Sequence, residues 1–138
     1  MRLILFGPPG SGKGTIGEML EQRRGLARIS TGDIIRAEIR QQSELGRQAK
    51  AISERGELVP DELVIAMVDR RLGQPDVASG CILDGYPRTL AQARALDRIA
   101  TPSEVAVFLQ VEEDAVVERL VTRLTCKGCG AIYNQRNH

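Results

Sequence analysis

The sequence predicts an α/β fold in which a parallel sheet is covered by helices on both faces. Three short apolar runs, at 3–6, 82–83 and 105–109, predict buried strands. The segments between them space their apolar residues three and four apart, as helices do. Strands that are apolar throughout and that alternate with helices indicate a parallel sheet with both faces buried.

Helices are predicted in the segments that separate and follow these strands. The first begins at Lys13, runs to about Arg24, and repeats apolar residues at Ile16, Met19 and Leu20. Further helices are predicted at 33–41, 44–55, 61–73, 89–99 and 113–124. The last of these has an apolar face made of Val117, Leu120, Val121 and Leu124. The run 30–60 holds helices and no convincing strand, and because it is long for a crossover we expect a small helical insertion there.

Composition excludes several classes of function. A formal net charge of +1 and an aromatic content of 3% argue against a nucleic-acid surface, which needs a basic field and stacking rings. The N-terminal apolar run is too short for a signal peptide, and no segment has the length needed to span a bilayer. Three cysteines, an odd number, do not make a disulfide framework. We therefore expect a cytoplasmic protein without nucleic-acid or membrane partners.

The stretch GPPGSGKGT at 7–15 has the spacing of a phosphate-binding loop. It fits G-x-x-x-x-G-K and stands between a predicted strand and a predicted helix, a context that disfavours a merely flexible turn. Since Pro8 and Pro9 have no N–H, the hydrogen-bond donors to a phosphate must be the amides of later residues. The N-terminus of the following helix adds the positive end of its dipole to the same site. The predicted triphosphate ligands are Gly10, Ser11, Gly12, Lys13, Gly14 and Thr15.

One position departs from the usual loop pattern. Gly14 stands where a Ser or Thr normally follows the lysine, and the hydroxyl comes one residue later, at Thr15. Direct ligation of Mg²⁺ by that hydroxyl is therefore not expected. Asp84 ends the second strand, where open α/β sheets place their ligands, and we expect it to bind Mg²⁺ through water.

A second anion site is suggested after residue 30. Ser30 and Asp33 have capping-box spacing, which explains a helix start but neither Gly32 nor Arg36. Thr31 near a helix N-terminus, with Arg36 nearby, can hold an anion.

Arginines further along the chain can add to such a site. Gly85 allows close approach, and Arg88 can clamp a phosphate bidentately, although alone it would be taken for a solvated arginine. Arg119 and Arg123 are four apart and are predicted to share one face of the last helix. The alternative for that pair is a solvated charge stripe with nearby glutamates.

Cysteines near the end of the chain have the spacing of half a zinc knuckle. Cys126 and Cys129 form a C-x-x-C pair, which is also compatible with a redox pair or with coincidence. No second pair follows, and His138 is a poor third ligand. Cys81, in the second predicted strand, is expected to be a core residue.

These motifs together resemble those of the adenylate kinases, nucleoside monophosphate kinases of the P-loop class. The matching stretches are GPPGSGKGT at 7–15, STGD at 30–33 with Arg36, ELGRQAK at 44–50, GELVPDE at 56–62, LDGYPRT at 83–89 with Gln92, and ERLVTRLTCKGCGAIY at 118–133. The resemblance implies a P-loop kinase core with a helical AMP-binding insertion and the start of a zinc-knuckle lid. The corresponding division is 1–29 core, 30–59 insertion, 60–121 core and 122–138 partial lid.

The resemblance also implies a reaction and a role for each site residue. The reaction is reversible phosphoryl transfer, ATP + AMP to two ADP, with Mg²⁺, and we expect a monomer. Lys13 and the 10–15 amides would hold the ATP phosphates, Arg119 would pack on the ATP adenine, and Arg88 and Arg123 would surround the transferred group. AMP would be bound by Thr31, Arg36, the backbone of Glu57, Leu58 and Val59, Gly85, Arg88 and Gln92, with Gln92 at the adenine edge. Structural Zn²⁺ would be bound by Cys126 and Cys129.

The family pattern continues past residue 138 with the rest of the lid, further catalytic arginines, a closing strand and a final helix. We therefore expect a fragment of a longer enzyme, with weak nucleotide binding and little or no kinase activity. Full turnover by the purified chain in a coupled ADP assay would contradict this. Two alternatives are a kinase of another nucleoside monophosphate and a non-catalytic nucleotide-binding or zinc-binding module.

Overall fold

The computed structural model describes residues 1–99, 101–126 and 132–135. Their centre is a four-stranded parallel sheet with the strand order β2-β3-β1-β4. The strands are β1 (Arg2–Phe6), β2 (Ala27–Ser30), β3 (Cys81–Asp84) and β4 (Glu104–Phe108). Leu3 of β1 lies between Ile82 of β3 and Val105 of β4 in register, so all three predicted strands pair as expected. The prediction that β4 is buried is wrong, because β4 is the edge strand of the described sheet and is mostly exposed, with Phe108 at 67%.

The helices in these ranges lie where the sequence predicted them, with ends that differ by up to three residues. They are α1 (Lys13–Arg24), α2 (Thr31–Arg40), α3 (Glu44–Glu54), α4 (Asp61–Leu72), α5 (Leu90–Asp97) and α6 (Glu113–Val121). A 3-10 turn covers Pro75–Val77, and a separate antiparallel hairpin consists of β5 (Arg123–Thr125) and β6 (Ile132–Asn134). None of the described helices has both the length and the apolarity that a membrane crossing needs.

Strand β2 was not predicted from the sequence. Of its four residues only Ile29 is buried, and Arg28 and Ser30 are polar, so no apolar run marks it. It forms because it pairs with β3 along its whole length, from Ala27 beside Cys81 onward. Tertiary pairing therefore overrides a weak local preference.

The core lies on both faces of the sheet, as the continuous apolar strands predicted. One buried cluster joins Ile4 of β1 to Met67 of α4 and Leu96 of α5. The other contains Leu5, the next residue of β1, and Leu20 of α1 packs against it. Successive strand residues point to opposite faces, so the two clusters place helices on both sides.

The last predicted helix is wrong at its C-terminal end. α6 stops at Val121, and the chain then enters β5. Arg119 and Arg123 therefore do not share a helix face, and Leu124 is not part of the apolar face of α6. Within the described residues that face is also largely exposed, with Val117 at 52% and Val121 at 73%.

The helix stops because Thr122 is engaged by the hairpin. The Thr122 Oγ1 atom donates to the Glu118 carbonyl at 2.7 Å and accepts from Asn134 Nδ2 at 2.9 Å. The Thr122 carbonyl accepts from the Gln135 amide at 2.9 Å. In a continuing helix the Thr122 carbonyl would accept from the amide four residues later. Here it accepts from Gln135, just after the hairpin, instead.

Candidate nucleotide-binding site

Three segments meet at the carboxyl-terminal edge of the sheet. Since β1, β2 and β3 are parallel, the loop 7–12, the start of α2 and the segment 85–88 all leave the sheet from one edge. Open α/β sheets bind their ligands at this edge. The predicted triphosphate loop and the predicted second anion site are therefore neighbours.

Lys13 lies over the phosphate loop. Its Nζ atom donates to the carbonyl oxygens of Gly7 and Pro8, at 2.8 Å each, and lies 3.4 Å from Ser11 Oγ. The Ser11 amide donates to the Pro8 carbonyl at 3.1 Å, so this predicted phosphate donor is used inside the loop. Gly12 is the N-cap of α1, and the first-turn amides that follow have no helical carbonyl to bond. These amides and one ammonium group can bind an anion.

Two other predicted catalytic cations affect the charge of Lys13. Burial is the largest cause of a lowered Lys13 pKa; Asp84 opposes the shift, and the charges of Arg88 and Arg123 add to it. Arg88 is held at the same sheet edge by its bonds to Gly85 and Thr31. Arg123 lies in β5 and not in a helix. A concentration of positive charge beside a phosphate loop suits a polyanionic ligand.

Asp84 lies beside the first turn of α1. A Cβ atom at Gly14 would be 3.7 Å from Asp84 Oδ2, and the Asp84 side chain is 14% exposed. Arg28 Nη1 is 3.6 Å from the same oxygen, and Arg28 Nη2 is 3.4 Å from Asp33 Oδ2. Sequence reasoning missed Arg28, because it belongs to no motif and reaches Asp84 only through the pairing of β2 with β3.

Three of the predicted AMP ligands are brought together. Thr31, which is 5% exposed, donates from Oγ1 to the Gly85 carbonyl at 3.1 Å. Arg88 Nε donates to the same carbonyl at 2.7 Å, and Arg88 Nη2 donates to Thr31 Oγ1 at 3.4 Å. Gly85 has a φ of +76°, and a Cβ atom there would lie 2.7 Å from Arg88 Nη2, so this position requires glycine.

Arg36 contacts its own helix. Its guanidinium forms an ion pair with Asp33, and its side chain is 64% exposed. Burial alone would raise the pKa of Asp33, but the hydrogen bond and charge of Arg36 outweigh it, and the pKa is lowered. The predicted cap is confirmed, since Ser30 Oγ accepts from the Asp33 amide at 3.4 Å.

The side chains at 57–59, whose backbone the resemblance assigns to AMP, differ in their surroundings. Glu57 pairs with Arg55 through two contacts, at 2.8 and 3.1 Å. Leu58 is 93% exposed, and Val59 packs against the core. The described contacts do not join these three residues to Thr31 or Arg88.

Gln92 is 5% exposed, and both ends of its side-chain amide are bonded. Oε1 accepts from the Arg88 amide at 2.8 Å, and Nε2 donates to Asp61 Oδ1 at 2.7 Å. Asp61 Oδ2 accepts from Thr89 Oγ1 at 2.6 Å. Sequence reasoning missed Asp61 as a site residue. An acidic residue at the start of a predicted helix is already explained by its favourable interaction with the helix dipole. Its contact with Gln92 spans 31 positions of the chain, so no local pattern indicates it.

Helix α6 reaches the phosphate loop. Arg119 Nη1 donates to the Gly10 carbonyl at 3.3 Å. A Cβ atom at Gly10 would lie 3.3 Å from Leu120 Cγ, so the helix also packs closely on the loop. Arg119 therefore contacts the phosphate loop.

The zinc prediction lies partly outside the described residues. Cys126 is partly buried, whereas Cys129 and His138 fall in ranges that the structure does not describe. In the ranges that it does describe, no three or more His, Cys, Asp or Glu side chains are grouped to hold a metal ion. Cys81 is 3% exposed and belongs to the core, as predicted, and burial raises the pKa of its thiol.

The family pattern described as adenylate kinase matches residues 5–136. The chain belongs to the adenylate kinase family. Similar curated adenylate kinases include those of Nitrosococcus oceani (51% identical), Thermosipho melanesiensis (50%) and Archaeoglobus fulgidus (47%). Each alignment covers 97% of this chain and 64% of the relative, so the chain spans 64% of the length of these adenylate kinases. The resemblance seen in the sequence and its P-loop kinase core are thereby confirmed.

Proposed function

We propose that this chain carries the nucleotide sites of an adenylate kinase, for the reversible transfer of the terminal phosphoryl group of ATP to AMP to form two ADP, with the low turnover expected from the sequence. The observation that carries the proposal is that Lys13, bonded to the Gly7 and Pro8 carbonyls, and Arg88, bonded to Gly85 and Thr31, lie at the same edge of the sheet. Lys13 belongs to the phosphate loop and Arg88 to the Thr31–Gly85 cluster, and the positive charge of Arg123 also lowers the pKa of Lys13. The place between them is where a donor and an acceptor phosphate can meet.

The chemistry fits the residues. Phosphoryl transfer between nucleotides passes through a loose transition state that needs positioning and positive charge. AMP supplies the attacking phosphate oxygen, so the protein needs no nucleophile of its own. On this proposal Lys13 exchanges its bonds to the Gly7 and Pro8 carbonyls for bonds to phosphate oxygens. Arg88 turns from Gly85 toward the phosphate that is transferred.

Asp84 suits Mg²⁺, because a carboxylate oxygen is a hard ligand beside the phosphate loop. Bound with ATP, Mg²⁺ would neutralise the charge that develops on the phosphate oxygens. Arg28, at 3.6 Å, already supplies this carboxylate with a positive partner. On this proposal Arg28 holds the Asp84 carboxylate in place from one side.

The remaining assignments belong to the same proposal. AMP is bound by Thr31, Arg36, Gly85, Arg88, Gln92 and the 57–59 segment, and Arg119 packs on the ATP adenine. Residues 1–29 and 60–121 form the core, 30–59 the AMP-binding insertion and 122–138 part of a lid. Zn²⁺ held by Cys126 and Cys129 is structural, and the protein is a cytoplasmic monomer. The family membership and the converging cations support these assignments.

The test measures ATP and AMP binding by titration calorimetry, together with ADP formation in a coupled assay. Lys13→Met should weaken ATP binding, and Arg88→Lys, which keeps the charge but loses the bidentate fork, should weaken AMP binding about tenfold. Arg94→Lys is the matched control, since Arg94 is an exposed arginine in the last turn of α5. Unchanged AMP affinity in Arg88→Lys would contradict the proposal, and CMP, UMP or GMP binding above AMP would favour another monophosphate kinase.

A further inference from the structure

Asp61 links two segments that both belong to the acceptor side of the site. As the first residue of α4, it receives Gln92 Nε2 on one oxygen at 2.7 Å and Thr89 Oγ1 on the other at 2.6 Å. Gln92 Oε1 receives the Arg88 amide at 2.8 Å. One carboxylate therefore holds the side chain of Gln92, which in turn holds the backbone of Arg88.

These partners leave the Gln92 amide only one orientation. The two ends of a glutamine amide have nearly the same shape, so its orientation is set by its hydrogen-bond partners. The Asp61 carboxylate can only accept, and the Arg88 backbone N–H can only donate. A reversed amide would set oxygen against oxygen and N–H against N–H. At a side chain that is 5% exposed, water cannot readily relieve either contact.

The locked amide keeps one donor and one acceptor for a ligand. Its NH₂ group has a second hydrogen, and its carbonyl has a second lone pair. On its N1 edge adenine has a 6-amino donor beside an acceptor, N1, and a glutamine amide can bind both. Hypoxanthine and guanine have the opposite pattern on that edge, an acceptor oxygen at position 6 beside an N1–H donor. To bind them at both ends, the amide would have to reverse.

We infer that Asp61 is a positioning residue that makes the acceptor pocket select a 6-aminopurine by fixing the orientation of Gln92. The inference rests on the proposed function, in which Gln92 faces the base of the acceptor nucleotide. Asp61 does not contact the nucleotide itself. It acts only through the amide that it orients.

The test compares AMP with inosine monophosphate, which has oxygen in place of the 6-amino group. Asp61→Asn has nearly the same shape, but its side chain can turn an NH₂ group toward Gln92, so one of the two contacts that oppose the reversed amide is lost and only the Arg88 N–H still opposes it. The ratio of the two dissociation constants, measured by titration calorimetry on the whole chain, should move toward the inosine nucleotide by about tenfold. Glu62→Gln is the matched control, because it removes the neighbouring exposed carboxylate from the same turn of α4 and should leave the ratio unchanged.

A second measurement does not depend on any nucleotide or on the variant folding. In the unaltered chain, one of the two Gln92 Nε2 protons should exchange slowly with solvent in an ¹⁵N NMR experiment, because Asp61 holds it in a buried place. Rapid exchange of both protons would overturn the inference. An unchanged AMP-to-inosine ratio in a folded Asp61→Asn chain, or an equal change in Glu62→Gln, would also overturn it. Failure of the unaltered chain to bind AMP would instead overturn the proposed function, and this inference with it.

Discussion

Replacing Gly46 by alanine would place a methyl group between two helices whose backbones are already in contact. An ideal Cβ atom at Gly46, in α3, would lie 2.0 Å from the carbonyl oxygen of Glu38 in α2. It would also lie 2.3 Å from the Glu38 carbonyl carbon and 2.8 Å from the Ile39 nitrogen. All three are backbone atoms, so no side chain can turn away to make room.

The size of the effect follows from this geometry. Carbon contacts shorter than 3.0 Å essentially do not occur, so α2 and α3 must separate by about 1 Å at this point. Overpacking of this kind costs about 1–3 kcal/mol. Alanine is favoured over glycine inside a helix by about 1 kcal/mol, which offsets part of the cost. Since all three contacts are with backbone atoms, the upper part of that range, about 2–3 kcal/mol, applies, which leaves a net loss of about 1–2 kcal/mol in the free energy of unfolding.

The assay is urea unfolding followed by far-ultraviolet circular dichroism, with the midpoint and the slope both recorded. Gly32→Ala is the matched control, since Gly32 is also in a helix, and the nearest atom to its Cβ is the terminal nitrogen of Arg36, at 3.2 Å. That guanidinium is paired with Asp33 but is exposed and stands at the end of a flexible side chain, so it can shift, and Gly32→Ala should be neutral or stabilising by up to about 1 kcal/mol. A Gly46→Ala chain as stable as Gly32→Ala would refute the reasoning.

Two further predictions concern buried titratable groups. Burial raises the pKa of Tyr86 to about 12, so the stability that this phenol contributes is complete below pH 10, its unfolded value, and is lost as the pH rises toward 12. Absorbance at 295 nm in a Tyr133→Phe chain should show no phenolate in the folded protein at pH 10, and an ordinary titration there would contradict this. Burial also raises the pKa of the Cys81 thiol, so in a chain with Cys126 and Cys129 changed to serine, Ellman's reagent at pH 8 should react only after urea unfolding. Rapid reaction of the folded protein would be the contrary result.

Features that depend on local chemistry could be predicted from the sequence. The phosphate loop could be predicted because its glycines, prolines and lysine act on the backbone groups of the same short segment. The helices were found because their apolar residues repeat at helical spacing, and the parallel sheet because β1, β3 and β4 are apolar runs. Each of these signals lies within a few residues of the element that it predicts.

The features that the sequence did not predict depend on contacts between distant residues. β2 is polar at two of its four positions and exists because β3 pairs with it. α6 ends early because Thr122 bonds to residues of β6 and just beyond it. Asp61 reaches Gln92 only when α4 and α5 are packed side by side. For each of these three features, the residues nearby in the sequence are equally compatible with a different structure or contact.

The central claim is that this chain builds two neighbouring nucleotide sites rather than one. The most direct measurement is titration calorimetry of AMP into the chain saturated with ATP, in EDTA so that no phosphoryl transfer occurs. We predict that one AMP site persists with ATP bound, and that Arg88→Lys weakens AMP binding more than it weakens ATP binding. Complete displacement of AMP by ATP would show a single shared site and would contradict the claim.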